Sequence, residues 1–521
     1  MNLKIFFLFQ IFILCKLSLE FIYNSGNNWA VLACGSTGYI NYRHEADIFQ
    51  AYHTLLKNGF SKNHIILFAY DDIAYNPKNP FQGEIYNRPD GPNVYRGINI
   101  DYSDYKVTPE NYLSVLKGDT KNGELKKVLN STKDDNIFLF FTDHGINGAL
   151  VFPDNQFLYA DELNEAFIYM KEKGMYKNII FYIESCYSGS IFNELNADLN
   201  IYSITSASPK EQSYATYCYP DDYIKKREMH TCLSNEFTHN WLQDINRINN
   251  NIINIFYSSR QQFEIVKNKT KNSHVHEYGN LTVGELPLTL FQYSNESNDS
   301  FNYDSENEVI EEEEEEEKEI IDDSDDEEEF DYDEIKKKII EFDKNESKQN
   351  SKDNKNNTDI NKDYISKKEK YNFINYIIEK SKKNKKIKRG KRFRIVKKKI
   401  KKLIKAIPSR KVKLYYLKIE TKHNPKKYKE YQEELNAIEK SKNLFDLLKK
   451  RLNINDKSEE PNQKIDFKCL RFSIQLFKGK CSLNERDLEN ISIFSDICAK
   501  KSINLDFINQ TIIDVCNNRN H

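Results

Sequence analysis

Long hydrophobic runs are almost absent from this chain of 521 residues. The exception follows Lys4, where Ile5-Phe-Phe-Leu-Phe-Gln-Ile-Phe-Ile-Leu14 forms an apolar core. A bilayer span needs ~20 apolar residues, so this stretch is too short and is typical of a secretory signal peptide over residues 1–26. No small-x-small cleavage pattern precedes Asn27, and an uncleaved anchor is the alternative. We expect a soluble mature chain without a stable membrane span.

Closely spaced metal ligands are also missing. The 9 cysteines include no CxxC-type pair, which argues against a cysteine metal site. His274 and His276 alternate like a metal-binding pair, but no third ligand accompanies them, and zinc normally takes three or four protein ligands. The sequence therefore predicts no metal and no cofactor.

The net charge of −2 hides a strong segregation of charge along the chain. Glu311–Glu317 is an unbroken acidic run, and Lys382–Lys405 is a dense basic block. Such low-complexity segments bury too little apolar surface to fold, so residues 293–405 are interpreted as a disordered linker, which would be an easy site for proteolytic nicking. A basic block can bind nucleic acid or anionic membrane, or act as a nuclear address, but behind a signal peptide we expect no nucleic-acid partner.

Two short apolar runs each end near a reactive side chain. Residues 136–141 are followed by His144, and residues 178–183 are followed by Cys186. Both runs are typical of buried parallel strands, and residues 159–174 between them carry a helical pattern with Asp161 as the predicted N-cap. A strand–helix–strand unit brings the carboxyl ends of both strands to one sheet edge, so His144 and Cys186 are predicted to be neighbours.

This pair suits nucleophilic catalysis. A thiolate is the nucleophile, and a nearby imidazole takes the thiol proton and later protonates the leaving amine. Gly145 and the small residues around Cys186 leave room for oxyanion-binding N–H groups. The alternative is a buried structural thiol and a loop histidine, which isolated residues of these types usually are.

Further elements indicate an α/β domain with a mainly parallel sheet. Strands are predicted at residues 29–34, 64–69 and 199–204, a helix at 45–58, and a long ordered loop at 76–106.

Two motifs resemble those of the legumain family, the asparaginyl endopeptidases among the caspase-like cysteine proteases. They are Phe140-Phe-Thr-Asp-His-Gly145 and Phe181-Tyr-Ile-Glu-Ser-Cys-Tyr-Ser-Gly-Ser190. Four other stretches resemble the same family: residues 41–47, 70–75, 87–91 and 107–112. The resemblance covers residues 28 to 290 and implies a caspase-like fold, with a catalytic domain at 27–292.

The resemblance also implies roles for individual residues. Cys186 and His144 are the expected catalytic pair, Asn41 is expected to support His144, and Gly145 and Cys186 are expected to bind the oxyanion. The residues expected to bind substrate are Arg43, His44, Glu184, Gln212, Ser213 and Asn235.

Two of these positions depart from the family pattern. Gln212 stands where the family has a pocket serine, with Ser213 beside it, and Asn235 stands near the pocket aspartate, for which Glu236, Asp221 or Asp222 are alternatives. A guanidinium and a carboxylate together suit a side-chain amide, as Arg43 and Glu184 would provide. We predict cleavage after Asn, with cleavage after Asp at acid pH.

The C-terminal region regains helical periodicity. By the resemblance, residues 406–425 are an activation-peptide-like segment, and residues 426–521 are a helical prodomain that covers the active site and leaves at acid pH after cleavage of the linker. Four cysteines in this tail of a secreted chain indicate two disulfides. The family's bonding implies the pairs Cys469–Cys498 and Cys481–Cys516, whereas Cys218 and Cys232 are either a disulfide or free thiols.

The sequence therefore predicts a zymogen of a cysteine endopeptidase in the secretory pathway, destined for a lysosome, a vacuole or the extracellular space. Its expected partners are peptide and protein substrates and its own prodomain as an intramolecular inhibitor. Three alternatives stand beside this hypothesis: the catalytic subunit of the GPI transamidase, a peptide asparaginyl ligase, and a catalytically inactive scaffold.

Overall fold

The computed structural model describes residues 26–248, 257–294, 406–421, 424–454, 464–500 and 504–517. These residues belong to one compact unit. The predicted signal peptide, except residue 26, and the predicted charged linker, except residues 293 and 294, lie outside the described residues.

A six-stranded sheet forms the centre of the first part of the chain. Its strands are β1 (Asn28–Cys34), β2 (Ile65–Phe68), β3 (Asn136–Thr142), β7 (Asn178–Glu184), β8 (Ile201–Thr205) and β13 (His276–Gly279). The spatial order is β13-β8-β7-β3-β1-β2. The pairs β1–β2, β1–β3, β3–β7 and β7–β8 are parallel, and β13 adds an antiparallel edge. The predicted mainly parallel sheet is confirmed.

Helices cover both faces of this sheet. On one face lie α1 (Tyr42–Lys57), α4 (Glu236–Ile248) and α5 (Ser259–Lys269), and on the other lie α2 (Pro109–Leu116) and α3 (Ala160–Glu172). The central strands are apolar at consecutive positions because both faces are buried: Phe138 and Phe140 face the first layer, and Leu139 faces the second.

Several shorter strands and helices lie in the segments that connect or follow the central strands. A small antiparallel sheet of β4 (Gly145–Ile146), β5 (Ala149–Phe152) and β6 (Gln156–Tyr159) follows β3 directly. A hairpin of β10 (Tyr223–Ile224) and β11 (Arg227–Glu228) lies inside the loop closed by the disulfide Cys218–Cys232. The short helices α6 (Leu281–Gly284) and α7 (Thr289–Gln292) end this part of the chain.

The C-terminal part is helical. It contains α8 (Val412–Glu420), α9 (Pro425–Arg451), α10 (Phe467–Cys481), α11 (Ile493–Ala499) and α12 (Leu505–Asn517). The disulfides Cys469–Cys498 and Cys481–Cys516 have the pairing that the resemblance implies, and they tie α10 to α11 and α12. Among the described residues, no helix is long and apolar enough to pass through a membrane.

One hydrophobic cluster joins the C-terminal helices to the small sheet. Phe445, Phe477 and Phe494 from the helices share it with Ile146 and Val151 from β4 and β5. Since β4 begins one residue after His144, the C-terminal helices pack directly beside the predicted active site.

Two local predictions were wrong. Helix α1 begins at Tyr42, three residues before the predicted start at Glu45, because the apolar face of the helix already includes Tyr42. Asp161 is not the N-cap of α3. Tyr159 holds that position, where its backbone N–H donates to the carboxylate of Glu162 (3.1 Å), and Asp161 instead pairs with Arg471.

Candidate active site

His144 and Cys186 occupy equivalent positions beyond two adjacent strands. Thr142 at the end of β3 pairs with Glu184 at the end of β7. His144 and Cys186 each lie two residues beyond these strand ends. Both side chains are buried, with His144 4% exposed and Cys186 1% exposed. A Cβ on Gly145 would lie 2.4 Å from the carbonyl oxygen of Cys186, so only glycine allows the two segments to approach this closely.

The ring of His144 is held through one nitrogen. Its Nε2 lies 3.1 Å from Oδ1 of Asn41, whose own Nδ2 donates to the carbonyl of Thr37. Its Nδ1 is buried and contacts no hydrogen-bonding group among the described residues. An Nε2–H that donates to Asn41 leaves the lone pair of Nδ1 free to accept a proton.

The thiol of Cys186 is free and sits on a tight turn. Tyr187 follows it in the left-handed backbone region, with φ of 57°. The turn is fixed by Ser190, whose Oγ donates to the carbonyl of Tyr187 (2.6 Å) and accepts from the N–H of Gly148 (2.8 Å). Sγ of Cys186 lies 3.8 Å from Oγ of Ser213. The turn thus presents the thiol beside the loop that precedes β9 (Tyr214–Thr216).

Arg43 forms the base of a polar pocket in the first turn of α1. Its guanidinium is fully buried, and Nε donates to Oδ1 of Asn235 (3.0 Å). Burial lowers the pKa of Arg43, and the neighbouring carboxylates of Glu485 and Asp143 oppose that shift. Arginine remains a cation under such conditions, so this pocket carries a positive charge.

Asp47, which sequence reasoning missed, orients Asn235. Its carboxylate accepts from Nδ2 of Asn235 (2.8 Å), from Oγ of Ser234 (2.5 Å) and from Nδ2 of Asn87 (2.7 Å). Burial raises the pKa of Asp47 to about 7, although these hydrogen bonds lower it. The only sequence signal was its place in the 41–47 motif, one helical turn after Arg43.

Two of the predicted substrate-binding residues make no hydrogen bond to Arg43 among the described residues. Gln212 donates from Nε2 to Glu489 in the C-terminal part (2.9 Å), whereas its neighbour Ser213 lies beside Cys186. Glu184 accepts from the N–H and the hydroxyl of Thr238 (3.1 Å each) at the start of α4. Burial and the nearby Asp47 raise the pKa of Glu184 to about 8, so this carboxyl is largely neutral below that pH.

His44 is fully buried between Arg43 and the catalytic candidates. Its Nδ1 lies 2.8 Å from Oγ1 of Thr142, and its ring centroid lies 5.5 Å from that of His144. Burial is the main cause that keeps the pKa of His44 well below its usual value, and the charge of Arg43 adds to it. His44 is therefore a neutral imidazole in the site.

A segment of the C-terminal part crosses the cleft. Strand β14 (Ile407–Pro408) pairs antiparallel with β9, and the N–H of Ser409 donates to the carbonyl of Ser213 (3.0 Å). The carbonyl of Ser409 accepts from Nη2 of Arg43 (3.3 Å). Arg410 then donates to the carbonyl of Gly145 and lies over the ring of Tyr187. No motif in the sequence marked these contact residues.

A second contact reaches the imidazole itself. Oε1 of Glu485, on the 3₁₀ helix Glu485–Glu489, lies 3.0 Å from Nε2 of His144 and 3.4 Å from Nδ2 of Asn41. Partial desolvation would by itself raise the pKa of Glu485, but His144, Arg43 and Asn41 outweigh it and lower the value to about 2. The glutamate therefore stays ionised against His144 over the physiological range.

A buried thiol and a buried imidazole beyond the carboxyl ends of neighbouring parallel strands are the arrangement that nucleophilic catalysis by cysteine requires. The chain belongs to the Peptidase C13 family, whose family model matches residues 28–294.

Comparison with known proteins adds individual relatives. The chain is similar to legumain from Mus musculus, with 41% identity over 273 residues, which are 52% of this chain and 60% of legumain. It is also similar to the vacuolar-processing enzyme from Vicia sativa, with 39% identity over 291 residues, covering 54% of this chain and 58% of that enzyme. The chain thus spans about 60% of the length of such relatives.

Among solved structures, caspase-1 from Spodoptera frugiperda matches with 11% identity and a TM-score of 0.30, covering 49% of this chain and 89% of that chain.

Proposed function

We propose that this protein is a cysteine endopeptidase that cleaves peptide bonds after Asn and is made as a zymogen. The observation that carries the proposal is the placement of His144, which is anchored through Nε2 to Asn41, has no hydrogen-bond partner at Nδ1 among the described residues, and follows the strand that pairs with the strand before Cys186. Family membership supports the same reaction class. No observation favours the transamidase or the inactive scaffold, and the ligase differs only in the nucleophile that attacks the acyl-enzyme.

The reaction follows from these roles. Nδ1 of His144 takes the proton of the Cys186 thiol, and Sγ forms a bond to the substrate carbonyl carbon. We assign the backbone N–H groups of Gly145 and Cys186 to the developing oxyanion, where one donor contributes ~10²–10³ in rate. The C–N bond then breaks as Nδ1–H protonates the leaving amine. Water, deprotonated by Nδ1, cleaves the thioester and releases the acid, and the thiol regains its proton.

The P1 preference rests on the pocket at Arg43. Its guanidinium suits the carbonyl oxygen of an Asn side chain, and Oδ1 of Asn235 is the acceptor available beside it. Ser213, rather than Gln212, lines this pocket next to Cys186. Among the described residues, no carboxylate bonds to Arg43, so the pocket lacks a negative charge that would repel a P1 Asp. We propose Asp as the second substrate at acid pH.

The segment at Ile407–Arg410 supports the zymogen proposal. It binds Arg43, Ser213 and Gly145, which are the groups that a substrate would need. We propose the domain boundaries predicted above: catalytic domain 27–292, linker 293–405, activation segment 406–425 and prodomain 426–521. Three disulfides in the structure favour an oxidising compartment, which agrees with a secretory, lysosomal or vacuolar location.

Acid release of the prodomain requires groups other than Glu485. A pKa of about 2 keeps Glu485 ionised at lysosomal pH. Ion pairs hold a second contact: Arg471 binds Asp161 through two bonds of 2.7 Å, and Lys464 lies 2.6 Å from Glu194. We propose that the loss of these pairs, rather than of the Glu485 contact, accompanies release.

The decisive experiment is a peptidase assay on acid-incubated full-length protein. Fluorogenic peptides that differ only at P1 (Asn, Asp or Lys) are compared for the wild type, Cys186→Ala and Cys34→Ala. Among the described residues, Cys34 is the other free buried thiol, and it provides the matched control. We expect the Asn peptide to be cleaved fastest, Cys186→Ala to lose at least ~10³ in rate, and Cys34→Ala to remain active. Faster cleavage after Lys, or an active Cys186→Ala variant, would refute the proposal.

A further inference from the structure

We propose that His44, Asp143 and His144 form a binding site for a zinc-type divalent metal ion, and that an ion bound there inhibits the enzyme reversibly. Metal binding is independent of the proposed function. Its inhibitory consequence rests on that function, because the ion would occupy the imidazole that transfers the proton.

The three residues present their ligand atoms to one another. One nitrogen from each histidine and one carboxylate oxygen of Asp143 all lie within 4.8 Å of one another. All three side chains are more than nine-tenths buried. Two imidazoles and one carboxylate are a donor set that zinc uses in proteins with an open fourth position, whereas calcium and magnesium prefer oxygen alone.

Both histidines have an unused nitrogen. Nε2 of His144 is held by Asn41, and Nδ1 of His44 lies 2.8 Å from Oγ1 of Thr142 and 3.2 Å from Nδ2 of Asn235. The opposite ring atoms, Nδ1 of His144 and Nε2 of His44, are buried without a hydrogen-bond partner among the described residues. A buried ring nitrogen without a partner costs ~1–3 kcal/mol. Each of these rings places one nitrogen within 4.8 Å of a carboxylate oxygen of Asp143, so a cation bound between them would complete the site.

The outer contacts already resemble those of a metal site. Metal-binding histidines usually fix their second nitrogen on an oxygen, which orients the ring. Asn41 does this for His144, and Oγ1 of Thr142 does it for His44 when Nδ1 of that ring carries the proton. Asp143 is oriented in the same way, because Oγ of Ser36 donates to its Oδ1.

The distances allow an ion to bind after a small adjustment. If all three separations were 4.8 Å, an equidistant ion would lie about 2.8 Å (4.8/√3) from each ligand atom. Zinc bonds to nitrogen and oxygen are ~2.0–2.2 Å, so each ligand moves by less than about 1 Å. The charge of Arg43 opposes the ion, and Asp143 and Glu485 offset it.

This site differs from a thiolate site at the catalytic cysteine. Cys186 does not belong to the group of ligand atoms identified among the described residues. Binding should therefore survive removal of the thiol, which separates the proposal from ordinary inhibition of a thiol enzyme by a soft metal.

The binding test uses full-length Cys186→Ala titrated with Co²⁺ alone and with Zn²⁺ alone. The acidic run Glu311–Glu317 also attracts cations. The metal affinity of Cys186→Ala is therefore compared with that of the double variant Cys186→Ala/His44→Gln. We expect a Co²⁺ spectrum without a thiolate charge-transfer band and a high-affinity step that weakens at least ~10-fold in the double variant. Cys186→Ala/His274→Gln is the matched control, because His274 is an exposed histidine paired with Glu211, and it should bind like the parent.

The inhibition test uses the acid-activated enzyme with the Asn peptide. Zn²⁺ should inhibit the wild type, a chelator should restore the rate, and His44→Gln should need at least ~10-fold more Zn²⁺ relative to its own uninhibited rate. Asp143→Asn is a second variant in case His44→Gln unfolds, and thermal melting identifies a misfolded protein. Equal metal affinity in parent and variants, or loss of the high-affinity step on Cys186→Ala alone, would overturn the proposal, whether or not the peptidase activity is found.

Discussion

The carboxylate of Glu485 lies 3.0 Å from Nε2 of His144, the same nitrogen that faces Asn41 at 3.1 Å. One N–H therefore has two oxygen acceptors from opposite parts of the chain. Asn41 lies directly before α1, beside the central sheet, whereas Glu485 belongs to the helical C-terminal part. This relationship leads to predictions that separate the two acceptors.

Replacing Glu485 by Gln should destabilise the full-length chain in a pH-dependent way. Its folded pKa of about 2 is below the ordinary glutamate value of about 4.3, so its stabilising contribution is complete above pH ~4.3 and is lost as the pH falls through about 2. The side chain is 52% exposed, so solvent screening limits the effect to ~0.5–1 kcal/mol. Chemical denaturation between pH 2 and 7 should give unfolding free energies for the wild type and for Glu485→Gln that converge at the acid end. Parallel curves over the whole range would contradict this account.

Replacing Asn41 by Ala should lower kcat of the activated enzyme by ~10–100-fold. The ring would lose the acceptor that fixes Nε2–H, so Nδ1 would carry the proton in part of the molecules and could not take it from Cys186. The rate is measured with the Asn peptide over a pH series after prodomain removal. Asn111→Ala, which changes a partly exposed amide bonded to Lys106 at the start of α2, is the control. An unchanged kcat together with a higher KM would assign Asn41 to substrate binding.

Replacing Arg410 by Ala should raise the activity of the uncleaved chain at neutral pH. The change removes the bond to the Gly145 carbonyl and the contact with the Tyr187 ring, which together hold the segment across the cleft. We expect a ~5–30-fold gain, equivalent to ~1–2 kcal/mol. Lys411→Ala is the control next in sequence. If activity stays at the wild-type level and the segment remains protected from proteolysis, Arg410 has no restraining role.

Replacing Arg471 by Met should release the cleaved prodomain at a higher pH than the wild type. Met keeps the apolar stem but removes the two bonds to Asp161. The pair is partly exposed, so we expect ~1 kcal/mol or less. Size-exclusion chromatography of linker-cleaved protein across a pH series gives the release midpoint. Adding Asp161→Asn to Arg471→Met should change the pH midpoint of release little further. Additive shifts of the midpoint would show that the two residues act separately.

Replacing Tyr416 by Phe should destabilise the chain mainly above pH 7. The hydroxyl of Tyr416 donates to Asp222 (2.9 Å), a buried carboxyl whose pKa burial raises to about 7. A raised carboxyl pKa means that stability falls as the pH rises from about 3.9 to about 7, and Tyr416 limits that loss by bonding the ionised form. We expect a loss of ~1.5–3 kcal/mol at pH 8 and a smaller loss at pH 5, measured by denaturant unfolding. Equal losses of unfolding free energy at pH 5 and pH 8 would contradict this explanation.

The central strands were predictable because their apolar runs are long enough to be buried on both faces. Predicted strands at 136–141 and 178–183 appear as β3 and β7, and the predicted helix at 45–58 appears as α1 with an earlier start. The neighbourhood of His144 and Cys186 followed from the same pattern, because a parallel pair fixes where both strand ends lie.

Pocket details were less accessible to sequence reasoning. Gln212 and Ser213 are adjacent in sequence and point to different partners, Glu489 and Cys186 respectively. Asp47 stabilises Asn235 from a position 188 residues away. Such contacts depend on which way a loop turns and on hydrogen bonds between distant segments, and neither leaves a periodic signal.

What the sequence by itself determined is the local part of this protein: the buried strands, the reactive residues at their ends and the cysteine-rich helical tail, all of which follow from hydrophobic period and residue chemistry. Only the tertiary structure decided that Ser409 and Arg410 lie across the cleft, that Glu485 shares the nitrogen of His144 with Asn41, and that His44 faces that ring. The reason is physical. These contacts join residues up to 444 positions apart, and their energy depends on geometry that exists only after the chain has folded.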